Sequence, residues 1–82
     1  MTEEELLKHI DLWESSRPRL AKSGRPLWAL IGHYKKVAHG DAADTAEAYG
    51  IPLDEMEVAL EYYRRHPQVI DAFITLNDAA VG

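Results

Sequence analysis

The side chains able to do chemistry in this chain are four histidines, fourteen carboxylates and nine lysines or arginines. A metal site needs imidazoles or carboxylates at ligand spacing, and two histidines four apart on one helix face would be the plainest sign. His9, His33, His39 and His66 form no such pair. Surface or packing roles are expected of them, with His66 bonding the last carbonyls of its helix. General acid–base work needs carboxyls held in unlike environments, and these acids crowd helix faces with no basic or apolar pocket evident to tune them. Cysteine is absent, which removes thiolate nucleophiles, disulfides and Cys-ligated zinc. No glycine-rich phosphate loop is present. Neither enzyme activity nor a cofactor, metal or small-molecule ligand is expected, and the chemistry that remains is recognition by charge.

That charge is divided along the chain. Residues 1–39 hold seven basic and five acidic side chains, a balance of +2, and residues 40–82 hold two and nine, a balance of −7. Arg17, Arg19, Lys22, Arg25, Lys35 and Lys36 all fall between residues 17 and 40, where there is no acid. The split predicts two faces with different tasks. The basic stretch is the candidate for phosphate or minor-groove contacts.

The elements that must position these groups form one small domain over residues 1–82. A chain of this length buries only about 60% of the surface it exposes when unfolded, so association is a natural way to enlarge its core. The longest apolar run, Leu27 to Ile31, is far too short to span a bilayer. The segment MTEEELLKHI is acidic and amphipathic, unlike a secretory signal. A cytoplasmic protein is expected.

Leu6, Leu7, Ile10 and Trp13 stand at helical spacing, which predicts an N-terminal helix over residues 3–14 within an N-terminal unit of residues 1–16. Pro18 and Pro26 flank Ser23-Gly24 and predict a short β-hairpin or arm over residues 18–28. A second helix is expected over 28–37 with Trp28, Ile31, Tyr34 and Val37 inward. Asp41 is placed to cap a short third helix over 42–49, closed by Gly50. Pro52 starts a fourth helix that must end near Arg65, because Pro67 follows His66. Pro67 opens a fifth, with Val69, Ile70, Phe73 and Ile74 as its apolar stripe. The fold class is thus mainly α: a small helical bundle containing a helix-turn-helix, with one short hairpin.

In the helix-turn-helix, helices three and four are joined by a turn of about three residues containing Gly50. Small Ala46 lets them cross closely, and Ile51, Met56, Ala59, Leu60 and Tyr63 fill the space between. The outward face is then Asp54, Glu55, Val58, Glu61, Tyr62 and Arg65. A DNA-reading helix presents its first residues to base edges, but Asp54 and Glu55 repel phosphates. Acids in a first turn are favoured by the helix dipole, so these two are expected to be helix-start residues rather than base readers.

Two segments resemble a known family. RPRLAKSGRPLWAL at 17–30 and AEAYGIPLDEMEVALEYYRRHPQVIDAFI at 46–74 are similar to the bacterial domain-of-unknown-function family 433, with its PRIAGTRIPVWAL-like and AEAYGLSLEDVEAALAYYRRHPEEIDA-like segments. The resemblance covers residues 17–77, and ALEYYRRHP is its most specific piece. Arg19, Leu20, Ala21, Pro26, Trp28, Tyr49, Ala59, Leu60, Tyr62, Tyr63, His66 and Pro67 match. Residues 22–25 depart from it: the family's Gly-Thr-Arg-Ile becomes Lys-Ser-Gly-Arg, displacing the turn glycine by two positions. The resemblance implies a small winged-helix-like or homeodomain-like protein of antitoxin type, encoded beside a PIN-type nuclease toxin. No long toxin-wrapping tail is expected.

The expected function is therefore an antitoxin-like protein that binds and neutralises a toxin, with autoregulation through DNA. The alternative is a homodimeric helix-turn-helix transcriptional regulator. Asp54, Glu55, Val58, Glu61, Tyr62 and Arg65 are the candidate face for a protein partner. A homodimer is expected, and Trp28 and Tyr63 are the candidates for the core or a dimer contact.

Overall fold

The structure is a computed structural model that describes residues 1–12 and 17–81, with side chains as far as residue 77. Among the described residues it has five helices, α1 (Glu3–Leu7), α2 (Leu27–Lys36), α3 (Ala42–Tyr49), α4 (Leu53–Arg65) and α5 (Pro67–Val81). Two short strands, β1 (Ile10–Asp11) and β2 (Arg19–Leu20), pair antiparallel with Ile10 opposite Leu20. This is the expected mainly helical bundle with a small antiparallel element. No helix among the described residues is long and apolar enough to cross a membrane.

The second half of the chain follows its local signals closely. The Asp41 side chain accepts the Asp44 N–H at 3.0 Å and caps α3. Gly50 closes the same helix in the left-handed region at φ 67°, and the Ile51 N–H reaches back to the Ala46 carbonyl. A Cβ at position 50 would meet nothing within 4 Å. Gly50→Ala is therefore expected to cost only the left-handed backbone term, about 1–2 kcal/mol; a larger loss of thermal stability would mean the turn repacks. Pro52 and Pro67 bracket α4, as the sequence predicts.

The N-terminal helix over 3–14 is a correction. α1 ends at Leu7, and Ile10, expected one helical turn further along, lies in β1. The apolar spacing is still satisfied, since Leu6 and Ile10 are both buried while Leu7 is exposed. A helix cannot, however, also give Asp11 its ion pair with Arg19 at 2.9 Å or pair His9 and Ile10 with the next limb. Trp13 lies outside the described residues.

The 18–28 arm closes as a turn. The Leu20 N–H donates to the Arg25 carbonyl, the Gly24 N–H to Leu20, and the Leu27 N–H to Pro18. The displaced glycine makes this possible: Gly24 has φ 74°. The strand partner of this arm is β1, however, and its second limb contributes only an isolated bridge from Pro26 to Arg19 before α2 begins.

The core gathers Leu6, Leu20, Leu27, Leu30, Ile31, Met56 and Ile70, all essentially inaccessible to solvent. α2 buries Leu27, Leu30 and Ile31; Trp28 and Tyr34 are half-buried and Val37 is 61% exposed. The expected inward set is thus corrected by one residue of phase. α2 is packed by α3, α4 and α5, and the side they cover carries Leu27, Leu30 and Ile31. On α5, Ile70 is buried and Val69 exposed.

Candidate protein-interaction site

α4 presents its outer face along much of the molecule. At its start Asp54 and Glu57 are exposed, and neither has an ion-pair partner among the described residues. The Asp54 carboxylate accepts the neighbouring Glu55 N–H at 3.0 Å, the use expected of a first-turn acid.

The predicted face does not survive intact. Tyr62, assigned there from sequence, is 5% exposed and belongs to the core, its ring tilted against His66 at 4.8 Å between centroids. Burial pushes its hydroxyl pKa up, with a smaller push from Glu3. Tyr63 takes the more open position: half-buried, it donates to Asp71 at 2.8 Å and receives Lys35 Nζ at 3.0 Å. The two tyrosines diverge by about 100° on the helix, and α1 covers the Tyr62 side. Val58 is half-buried.

Further along α4 the charges neutralise one another. Glu61 binds Arg64 Nη1 at 2.7 Å and Arg65 Nε at 2.9 Å, and these contacts, Arg65 foremost, hold its pKa below the usual carboxylate range. Arg65 also donates to Glu3 at 3.3 Å and to the Met1 carbonyl, so it fastens α1 rather than facing outward alone. His66 completes this clasp, with its Nε2 2.7 Å from Glu3 Oε1. The expected bond from His66 to its helix is made by its backbone N–H, to the Tyr62 carbonyl. His66 bonding lowers the Glu3 pKa, with Arg65 adding to it. Nothing in the sequence links positions 3 and 66; only the fold does.

The basic stretch is similarly divided. Arg19 is held by Asp11. Lys35 is held by Tyr63 and Asp71, and the Tyr63 bond raises its pKa. Arg17 lies over the Phe73 ring at 5.4 Å. Lys22 and Arg25 are exposed on the arm and Lys36 at the end of α2. Arg19 and Lys35 are thus charge-compensated within the fold.

Trp28, the other candidate for a contact with a second copy, lines an apolar groove of about 320 Å³ with Tyr49 and Ile74. His33 packs there edge-on against Tyr49 at 5.6 Å. Among the described residues no three His, Asp or Glu side chains converge as metal ligands.

Sequence reasoning missed a groove of about 240 Å³ between α4 and the β1–β2 corner, lined by Lys8, His9, Leu20, Lys22, Glu55 and Val58. Glu55, predicted to face outward, is only partly exposed there. Its Oε1 is buried with no hydrogen-bond partner among the described residues. The i, i+3 spacing of Glu55 and Val58 was legible; the strand corner opposite them was not. No protein-family model, curated protein or solved structure matches the chain.

Proposed function

We propose that this is a cytoplasmic binding protein rather than an enzyme, and that the start of α4 engages a basic protein partner. In the terms of the family it resembles, it acts as an antitoxin toward a PIN-type nuclease. The observation that carries this reading is the pair Asp54 and Glu57, exposed and without counter-ions among the described residues at the position where a DNA-reading helix meets base edges. Such a surface repels phosphates. A nuclease that binds RNA must present a positive cleft, and this surface complements one.

Exposed charges chiefly steer association. Members of the family it resembles are encoded beside their toxin, and reversing Asp54 and Glu57 to Lys together is expected to lower the on-rate for such a neighbouring gene's product by about tenfold at low salt, an effect that fades as salt screens it. Unchanged on-rate and affinity in surface plasmon resonance would remove this face from the interface.

A second reading has its own support. Lys22 and Arg25 stand exposed on the arm with no ion pair among the described residues, and suit phosphate contacts by a DNA-binding regulator. Tight, steeply salt-dependent binding of the protein alone to DNA upstream of its own gene would favour it.

A further inference from the structure

The orphaned oxygen of Glu55 calls for an explanation. A carboxylate with one oxygen buried and unpartnered carries a free-energy cost, and a cation against its accessible side offsets that cost. The groove holding it is chemically two-sided. Lys8, His9 and Lys22 line it along with Glu55, yet none of the three makes an ion pair among the described residues. Leu20 and Val58 give it apolar walls. It continues, through His9, Lys22, Glu55 and Val58, into a larger groove of about 670 Å³ whose rim includes Asp54 and Glu57. One end is therefore basic and the other acidic.

We propose that this groove receives an extended peptide segment of the protein partner, bearing an arginine and, two residues away, a carboxylate. In an extended chain residues two apart project to the same side. The guanidinium is placed on the Glu55 carboxylate, which lines the groove and has no ion pair among the described residues, with its methylenes against Val58 and Leu20. The carboxylate is placed on Lys8 and Lys22. This rests on the reading of α4 as a protein-binding face and names the chemistry it selects.

The test uses the full chain and two synthetic peptides, one with Arg-Ala-Asp at its centre and one with citrulline and asparagine in place of the charges. Titration followed by ¹⁵N–¹H correlation spectra is expected to shift the amides of Lys8, His9, Lys22, Glu55 and Val58 with the charged peptide only. Glu55→Gln, which keeps the shape, is expected to weaken that binding about tenfold or more, as losing a charged hydrogen bond does. Lys22→Ala should erase the preference for Arg-Ala-Asp over Arg-Ala-Ala, and Glu47→Gln, at an exposed α3 position that lines neither groove, should change nothing. Shifts that are absent, equal for both peptides or indifferent to Glu55→Gln overturn the proposal. If the neighbouring gene's product binds the Glu55→Gln protein undiminished, the groove is overturned while the broader partner reading stands. If the peptide binds as described and that product does not bind at all, the reverse holds.

Discussion

Tyr62→Ala is expected to lower folding stability by about 3–5 kcal/mol, the range for deleting a buried aromatic ring. Tyr62→Phe is expected to change it by less than about 1 kcal/mol. The ring is 5% exposed and lies tilted against His66 at 4.8 Å between centroids, so truncation leaves a cavity in the core. Its hydroxyl makes no hydrogen bond among the described residues, so removing the oxygen alone leaves the packing in place. For a domain this small, with total stability commonly 5–15 kcal/mol, the alanine variant loses a large share of the whole. Urea denaturation followed by circular dichroism measures both variants. If Tyr62→Ala matches the parent, the ring is at the surface and the sequence-based assignment to the partner face is restored.

The contrast between Tyr62 and Tyr63 shows where sequence reading reached its limit. α3, α4 and α5 were legible because their ends are written locally: Asp41 caps, Gly50 takes positive φ, and Pro52 and Pro67 set boundaries within a few residues of what they control. Which of two adjacent tyrosines is buried depends on α1, some sixty residues earlier in the chain. The same long-range dependence turned Ile10 from a helix residue into the strand partner of Leu20. An alternation of apolar residues at 6 and 10 fits a helix or a helix followed by a strand, and only the pairing with β2 decides between them.

The charges repeat this lesson. The stretch 17–40 is free of acids in sequence, yet Arg19 finds Asp11 and Lys35 finds Asp71. α4 looks acidic throughout, yet Glu61 is neutralised by Arg64 and Arg65, which leaves the unpaired acids at its start. The fold sorts residues into paired and unpaired sets, and recognition rests on the second. That sorting moves the candidate interface from the whole of α4 toward Asp54, Glu55 and Glu57.

Leu6→Ala is expected to cost about 2–5 kcal/mol and to loosen α1 before the rest of the molecule. Leu6 is fully buried and is the only buried residue of α1, so the helix has one apolar anchor; its remaining hold is the clasp of Glu3 with Arg65 and His66. That clasp is pH-dependent with a definite sign. The Glu3 carboxyl titrates below its ordinary value near 4.5 in the folded protein, chiefly through the His66 bond. A depressed carboxyl contributes stability that is fully present above the unfolded value and is lost as pH falls through the folded one. Glu3→Gln should therefore melt below the parent at neutral pH, with the gap closing as the parent is acidified beneath that window. The exposure of Glu3 keeps the gap small beside the effect of Leu6→Ala. Amide exchange distinguishes a local from a global event: in Leu6→Ala the N–H groups of position 6 and of Ala21 should exchange faster, while the Ile51 N–H at the α3–α4 turn keeps most of its protection. Equal acceleration at all three would make α1 part of the global unfolding unit and overturn its assignment as a separately fastened element.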